Sequence, residues 1–136
     1  MTSKATAWFG RVMWAGIVAN VALAVPALLW PARMLALTGL PEAVPLMWVR
    51  FASLLLILLS AFYVPAAIDC RRARVNAWLA TAARLAGVIF FMTQDQRYWL
   101  FGVFDAAFLV PLVLLLAAGA ASSAQAREVP DEISAR

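Results

Sequence analysis

Residues 46–67 read LMWVRFASLLLILLSAFYVPAA, a stretch with a single charged side chain, Arg50. A helix needs about 20 apolar residues to cross about 30 Å of hydrocarbon at about 1.5 Å per residue, and this stretch supplies them. From Phe51 onward its long aliphatic run is broken only by Ser53 and Ser60, which predicts a helix that faces lipid or a partner subunit.

Three further stretches have the same character: about 8–31, 76–93 and 98–119. The first carries Lys4 and Arg11 at its start, as a signal peptide would. Its apolar run exceeds the usual signal-peptide length of about 7–15 residues, and Leu29-Trp30-Pro31-Ala32 is a poor cleavage site, so a retained span is expected. The predicted fold is an all-α, four-helix transmembrane bundle over 1–119, running up-down-up-down, followed by a disordered tail over 120–136. Gln94-Asp95-Gln96-Arg97 leaves so short a connection that spans three and four are expected to be antiparallel neighbours. The apolar segment Met34 to Leu40, between Pro31 and Pro41, is expected to form a short helical connector, lid or docking surface.

Composition agrees. Of the 136 residues 65% are hydrophobic and 13% charged, outside the range of a soluble domain of this size. The formal charge of +4 does not point to nucleic acid, because the basic residues gather between apolar segments as in cytoplasmic membrane loops. With the N-terminus cytoplasmic, that side holds seven basic residues: Lys4, Arg11, Arg71, Arg72, Arg74, Arg127 and Arg136. The opposite side holds three, Arg33, Arg50 and Arg97, so both termini are expected inside. Trp30, Trp48, Tyr98 and Trp99 then form an outer aromatic belt, with Trp8 and Trp78 at the inner interface. Ten arginines against the lone Lys4 suggest a GC-rich bacterial genome, and the inner membrane is the expected location.

Histidine is absent. A self-contained haem b site, a His-ligated metal site or a Ser-His-Asp triad cannot be assembled from this chain, and no Cys-x-x-Cys pair or Gly-rich phosphate loop replaces them. No cofactor is expected beyond a bound quinone or lipid, and the expectation leans away from an enzyme. The single cysteine, Cys70, forms no internal disulfide. Its neighbours Arg71 and Arg72 would lower a thiol pKa, against the commoner case of an inert thiol at a helix end.

Charges at membrane depth cost about 2.5–3.5 kcal/mol each on insertion, so they are functional candidates. Arg84 lies near the centre of span three, Asp105 about 10 Å below the outer surface in span four, and Arg50 near the start of span two. The small residues Ala80, Ala83 and Gly87 beside Arg84 offer a face for close helix approach. Asp105 is the only acid at this depth, so a shared cluster of Arg84, Asp105 and Arg50 is expected, with Asn20 of span one as a further partner. Two arginines against one aspartate would leave a spare positive charge for an anionic headgroup, a carboxylate or a quinone carbonyl. The alternative is that Arg50 snorkels to the interface while Arg84 and Asp105 neutralise one another and only fix the packing.

Arg50-Phe51-Ala52-Ser53, Ala83-Arg84-Leu85-Ala86-Gly87 and Phe101-Gly102-Val103-Phe104-Asp105, with four spans and both ends inside, resemble the small DoxX-like bacterial membrane proteins. That resemblance implies a kinship with small subunits associated with quinone-linked oxidoreductases. The first span departs from the group's Gly-rich, Lys-bearing pattern, and no site residue is carried over. The leading expectation is a non-catalytic accessory subunit of an inner-membrane complex, respiratory or redox, in contact with lipid and with other membrane subunits or further copies of itself. The second is a binding protein or enzyme for a small amphiphile, such as a quinone, lipid or sterol-like molecule, held by the Arg/Asp cluster. A small multidrug-type transporter ranks lower, because the first span carries no acid.

Overall fold

The computed structural model describes residues 3–125. Among them are five α-helices and no strand: α1 Ser3–Leu29, α2 Pro31–Leu37, α3 Met47–Ile68, α4 Arg74–Met92 and α5 Trp99–Gln125. Four are long and apolar enough to cross a membrane, over Lys4–Leu29, Met47–Ile68, Arg74–Met92 and Gln96–Ala118. The protein is thus a helical bundle of a kind compatible with integral, multi-pass membrane insertion, and the expected span boundaries fall within a few residues of these helices. α5 continues to Gln125, into the segment expected as tail, as a run rich in the strong helix former Ala allows. Positions 126–136 of that expected tail lie outside the described residues.

Helix α2 is the expected connector, and its ends have local causes. Pro31 occupies the first helical position, where a missing N–H costs nothing. At the other end Gly39 adopts φ 67°, Gly39 N–H donates to the Ala36 carbonyl at 3.3 Å and Leu40 N–H to the Leu35 carbonyl at 2.9 Å. That pair of bonds around a left-handed glycine terminates the helix and turns the chain back toward the bundle. Between α3 and α4 the chain needs only five residues, Asp69 to Ala73, and Asp69 Oδ1 accepts from the backbone N–H groups of Arg71 and Arg72 at 2.9 and 3.3 Å. Asn76 Nδ2 then ties the start of α4 to the Phe62 carbonyl of α3 at 2.9 Å. A 3-10 turn, Gln96–Tyr98, joins α4 to α5, with Asp95 accepting from Arg97 N–H at 3.1 Å.

Helix α1 packs chiefly on α3 and also on α5, while α4 packs chiefly on α5. Helix α3 therefore does not face only lipid: Ser53, Ser60, Tyr63, Ala66 and Ala67 are buried, while Phe51, Leu54, Leu55, Leu58 and Phe62 stay exposed. The buried cluster gathers toward one end of the bundle, where Phe9, Met13 and Ile17 of α1 meet Tyr63 and Ala66 of α3, Ala77 and Ala80 of α4, and Leu112 of α5. On α1, Ala15 and Ala19 have the small-xxx-small spacing of a packing pair, and Ala15 is exposed within this chain. Close approach occurs instead at Gly10, where an added Cβ would lie 2.7 Å from the Ala67 carbonyl oxygen.

Gly10→Val therefore forces α1 away from α3, and we expect it to destabilise the purified protein by about 2 kcal/mol, the scale of overpacking. Ala15→Val, at an exposed position, should leave the thermal midpoint in the same detergent unchanged; equal midpoints for the two variants would refute this packing assignment.

Candidate functional site

Every residue of the polar site is presented by a helix whose own sequence prepares the position. On α4 the buried side chains Ala77, Ala80, Thr81 and Arg84 follow the three-four spacing of one helical face, so the small residues bring the neighbouring helices near and aim Arg84 into the bundle. One turn further on, Gly87 offers no side chain, and an added Cβ there would collide with the Asp105 carboxylate. The notch at Gly87 is what seats the acid of α5 on the backbone of α4.

Arg84 Nη1 donates to Asp105 Oδ1 at 2.6 Å. The arginine side chain is 5% exposed and the aspartate 16%. Arg84 Nη2 donates to Asn20 Oδ1 at 3.0 Å and, more weakly, to the Gly16 carbonyl at 3.4 Å. The Asn20 amide in turn donates through Nδ2 to Ser60 Oγ at 3.1 Å, and the Ser60 hydroxyl donates to the Leu56 carbonyl at 2.8 Å. The rings of Phe108 and Phe104 of α5 lie 4.9 and 5.7 Å from the guanidinium carbon, supplying cation–π contact on its remaining surface. One chain of hydrogen bonds thus crosses from α5 through α4 and α1 to α3.

Three of the four expected site residues, Arg84, Asp105 and Asn20, are brought together. Arg50 is not. It lies in the first turn of α3, exposed, and its side chain forms no ion pair or hydrogen bond among the described residues. The lean of side chains toward their helix N-termini, which sets Arg84 and Asp105 apart, is overcome by the reach of the arginine and by the Gly87 notch. No surplus charge therefore collects beside the buried pair. Ser60 is the member that sequence reasoning missed: it was seen as a polar interruption of α3, and its meaning rests on facing Asn20 across the helix contact.

Cys70 is buried at the end of α3. Burial pushes its thiol pKa up, Asp69 pushes the same way, and Arg71 only partly offsets them, so the arginine neighbours do not create a reactive thiolate.

A second feature is a cavity of about 410 Å³ at the α2 end of the bundle, lined by Leu23 and Ala27 of α1, Met34 and Leu35 of α2, and Ala52 and Leu56 of α3, among others. Phe91, Tyr98 and Phe101 close its far wall.

Fold and site together define a class, a membrane-compatible helical bundle with an internally satisfied charge pair. Compared with known proteins, the chain matches no family model, no curated protein and no solved structure.

Because the Arg84 side chain is buried, removing its acid leaves a charge with only neutral partners. Asp105→Asn should cost about 3 kcal/mol of stability, near the low end for a broken buried pair because the carboxylate is partly exposed. Arg84→Met with Asp105→Leu should recover most of that loss, and Gly87→Val should resemble Asp105→Asn. A thermal midpoint for Asp105→Asn equal to wild type would show that the pair does not hold the bundle.

Proposed function

We propose that this protein is a non-catalytic accessory subunit of a larger bacterial inner-membrane complex. The observation that carries the reading is the use of the deep charge pair in joining helices: Arg84 Nη1 donates to Asp105, Nη2 donates to Asn20 and the Gly16 carbonyl, and two aromatic rings of α5 lie against the guanidinium. A buried group occupied in this way is a packing device. The broad apolar surfaces of α1, α3 and α4 supply contacts to lipid and to other subunits or a second copy. The resemblance to DoxX-like proteins favours a respiratory or redox complex. Extraction from native membranes in a mild detergent, with capture at native abundance, should recover a stoichiometric membrane-protein partner or a homo-oligomer. A monodisperse monomer under every such condition would reject the reading.

In this proposal the spans run up-down-up-down with both termini cytoplasmic, supported by the basic connection Arg71, Arg72 and Arg74 and by Lys4 and Arg11 beside the first span. Arg11 stacks over Trp8 at 5.0 Å, as an interfacial anchor would. In intact cells Glu42→Cys should react with an impermeant maleimide, whereas Arg72→Cys should react only after permeabilisation; the reverse pattern would invert the orientation. Native Cys70 should give little background near neutral pH. Thiolate is the reactive form and the Cys70 pKa is raised, so its labelling should climb only as pH passes above the ordinary thiol range.

A further inference from the structure

We propose that the cavity at the α2 end holds one acyl chain of an anionic phospholipid, with the lipid phosphate held by Arg33 and Arg50. At about 410 Å³ the cavity lies in the range of about 300–1,000 Å³ that small-molecule sites occupy. Its lining is predominantly apolar, and the Thr38 and Ser53 hydroxyls within it already donate to backbone carbonyls. Thr38 Oγ1 donates to the Met34 and Leu35 carbonyls at 2.8 and 3.1 Å, and Ser53 Oγ donates to the Val49 carbonyl at 2.7 Å. An ordered water needs two to four polar partners, and these mostly apolar walls offer few. Hydrocarbon needs none.

The charges around the cavity say which lipid. Arg33 follows the start of α2, adjacent in sequence to the lining residue Met34, and Arg50 adjoins the lining residue Val49 on α3. Both arginines are exposed and neither is paired with an acid among the described residues. Arg97, the other basic residue near this end, is occupied by Asp95 at 3.5 Å. Glu42, in the connection between α2 and α3, is exposed and forms no ion pair among the described residues, so Arg33, Arg50 and Glu42 together carry a net positive charge. Trp48 and Tyr98 also line the cavity, and such residues favour the headgroup level of a bilayer. A chain seated below them leaves its phosphate at the end of the bundle that carries Arg33 and Arg50, and arginine is a strong phosphate-binding side chain. The α2 helix, with Met34 and Leu35 half-buried and Arg33 exposed, acts as the cover.

The test reconstitutes the full chain in vesicles of equal phosphatidylglycerol and phosphatidylethanolamine and releases it intact into a mass spectrometer. One retained phospholipid per chain, enriched in phosphatidylglycerol, is expected. Ala52→Trp and, from the α1 wall, Ala27→Leu fill the cavity without touching the buried cluster and should remove the retained lipid while the thermal midpoint holds. Arg33→Gln and Arg50→Gln should each cut the phosphatidylglycerol preference by about fivefold, the effect of one basic residue on an anionic surface. Equal retention in the cavity-filled variants would mean that the lipid is annular, and would overturn the proposal. So would retention of an isoprenoid lipid from native membranes in place of a phospholipid, or an unchanged headgroup preference in the arginine variants.

Discussion

The bundle depends on one charge that cannot be left alone. Arg84 stands on the least apolar of the four long helices, and a lone arginine at membrane depth would favour keeping α4 out of a bilayer. Neutralisation by Asp105 at 2.6 Å removes the monopole, and Asn20, Gly16 and Ser60 satisfy or extend the remaining bonds. Since these groups come from four different helices, the solution to the charge problem also fixes how the helices pack. Lipid tails give no hydrophobic drive for helices to associate, so small-residue contacts and a shared hydrogen-bond chain supply the specificity that a soluble core would draw from burial.

Packing is uneven along the bundle. Toward the end that carries Phe9, Tyr63, Cys70 and Ala77 the helices meet through a continuous buried cluster, and Gly10 touches the last turn of α3. Toward the α2 end the same helices leave an open, apolar pocket between them, lined in part by Met34 and Leu35 of α2. The polar chain from Asp105 to Ser60 lies between these two regimes. It marks the boundary between the tightly packed half and the open one.

The long helices were legible because a membrane span is written in composition: twenty apolar residues can hardly be anything else. Arg84 and Asp105 were legible for the same reason, as the costly exceptions within apolar runs, and Asn20 as a polar group at similar depth. What the chain did not disclose was which arginine Asp105 would choose. That depended on Gly87, whose missing side chain reads as a generic small-residue contact until the acid is seen resting on it. Ser60 was obscured because a serine bonded to its own helix, as at the Leu56 carbonyl, is common and carries no sign of a cross-helix partner. On α1 the spacing of Ala15 and Ala19 does not tell which residues meet the rest of the bundle; Gly10, Gly16 and Asn20 make those contacts.

The order of the helices along the chain gives the charge pair a further consequence. Arg84 is synthesised before its acid, and when α4 enters a bilayer the partners already present, Asn20 and the Gly16 carbonyl, are neutral dipoles. They orient the guanidinium without cancelling its charge. Asp105 follows 21 residues later, across a connection held short by the Asp95 turn. Pairing within the α4–α5 hairpin thus cancels the charge of Arg84, while Gly10 and the Asn20–Ser60 bond join α1 to α3. Asn20 links the two pairs, donating through Nδ2 to Ser60 and accepting through Oδ1 from Arg84, a double role that suits an amide, which carries a donor and an acceptor on separate atoms.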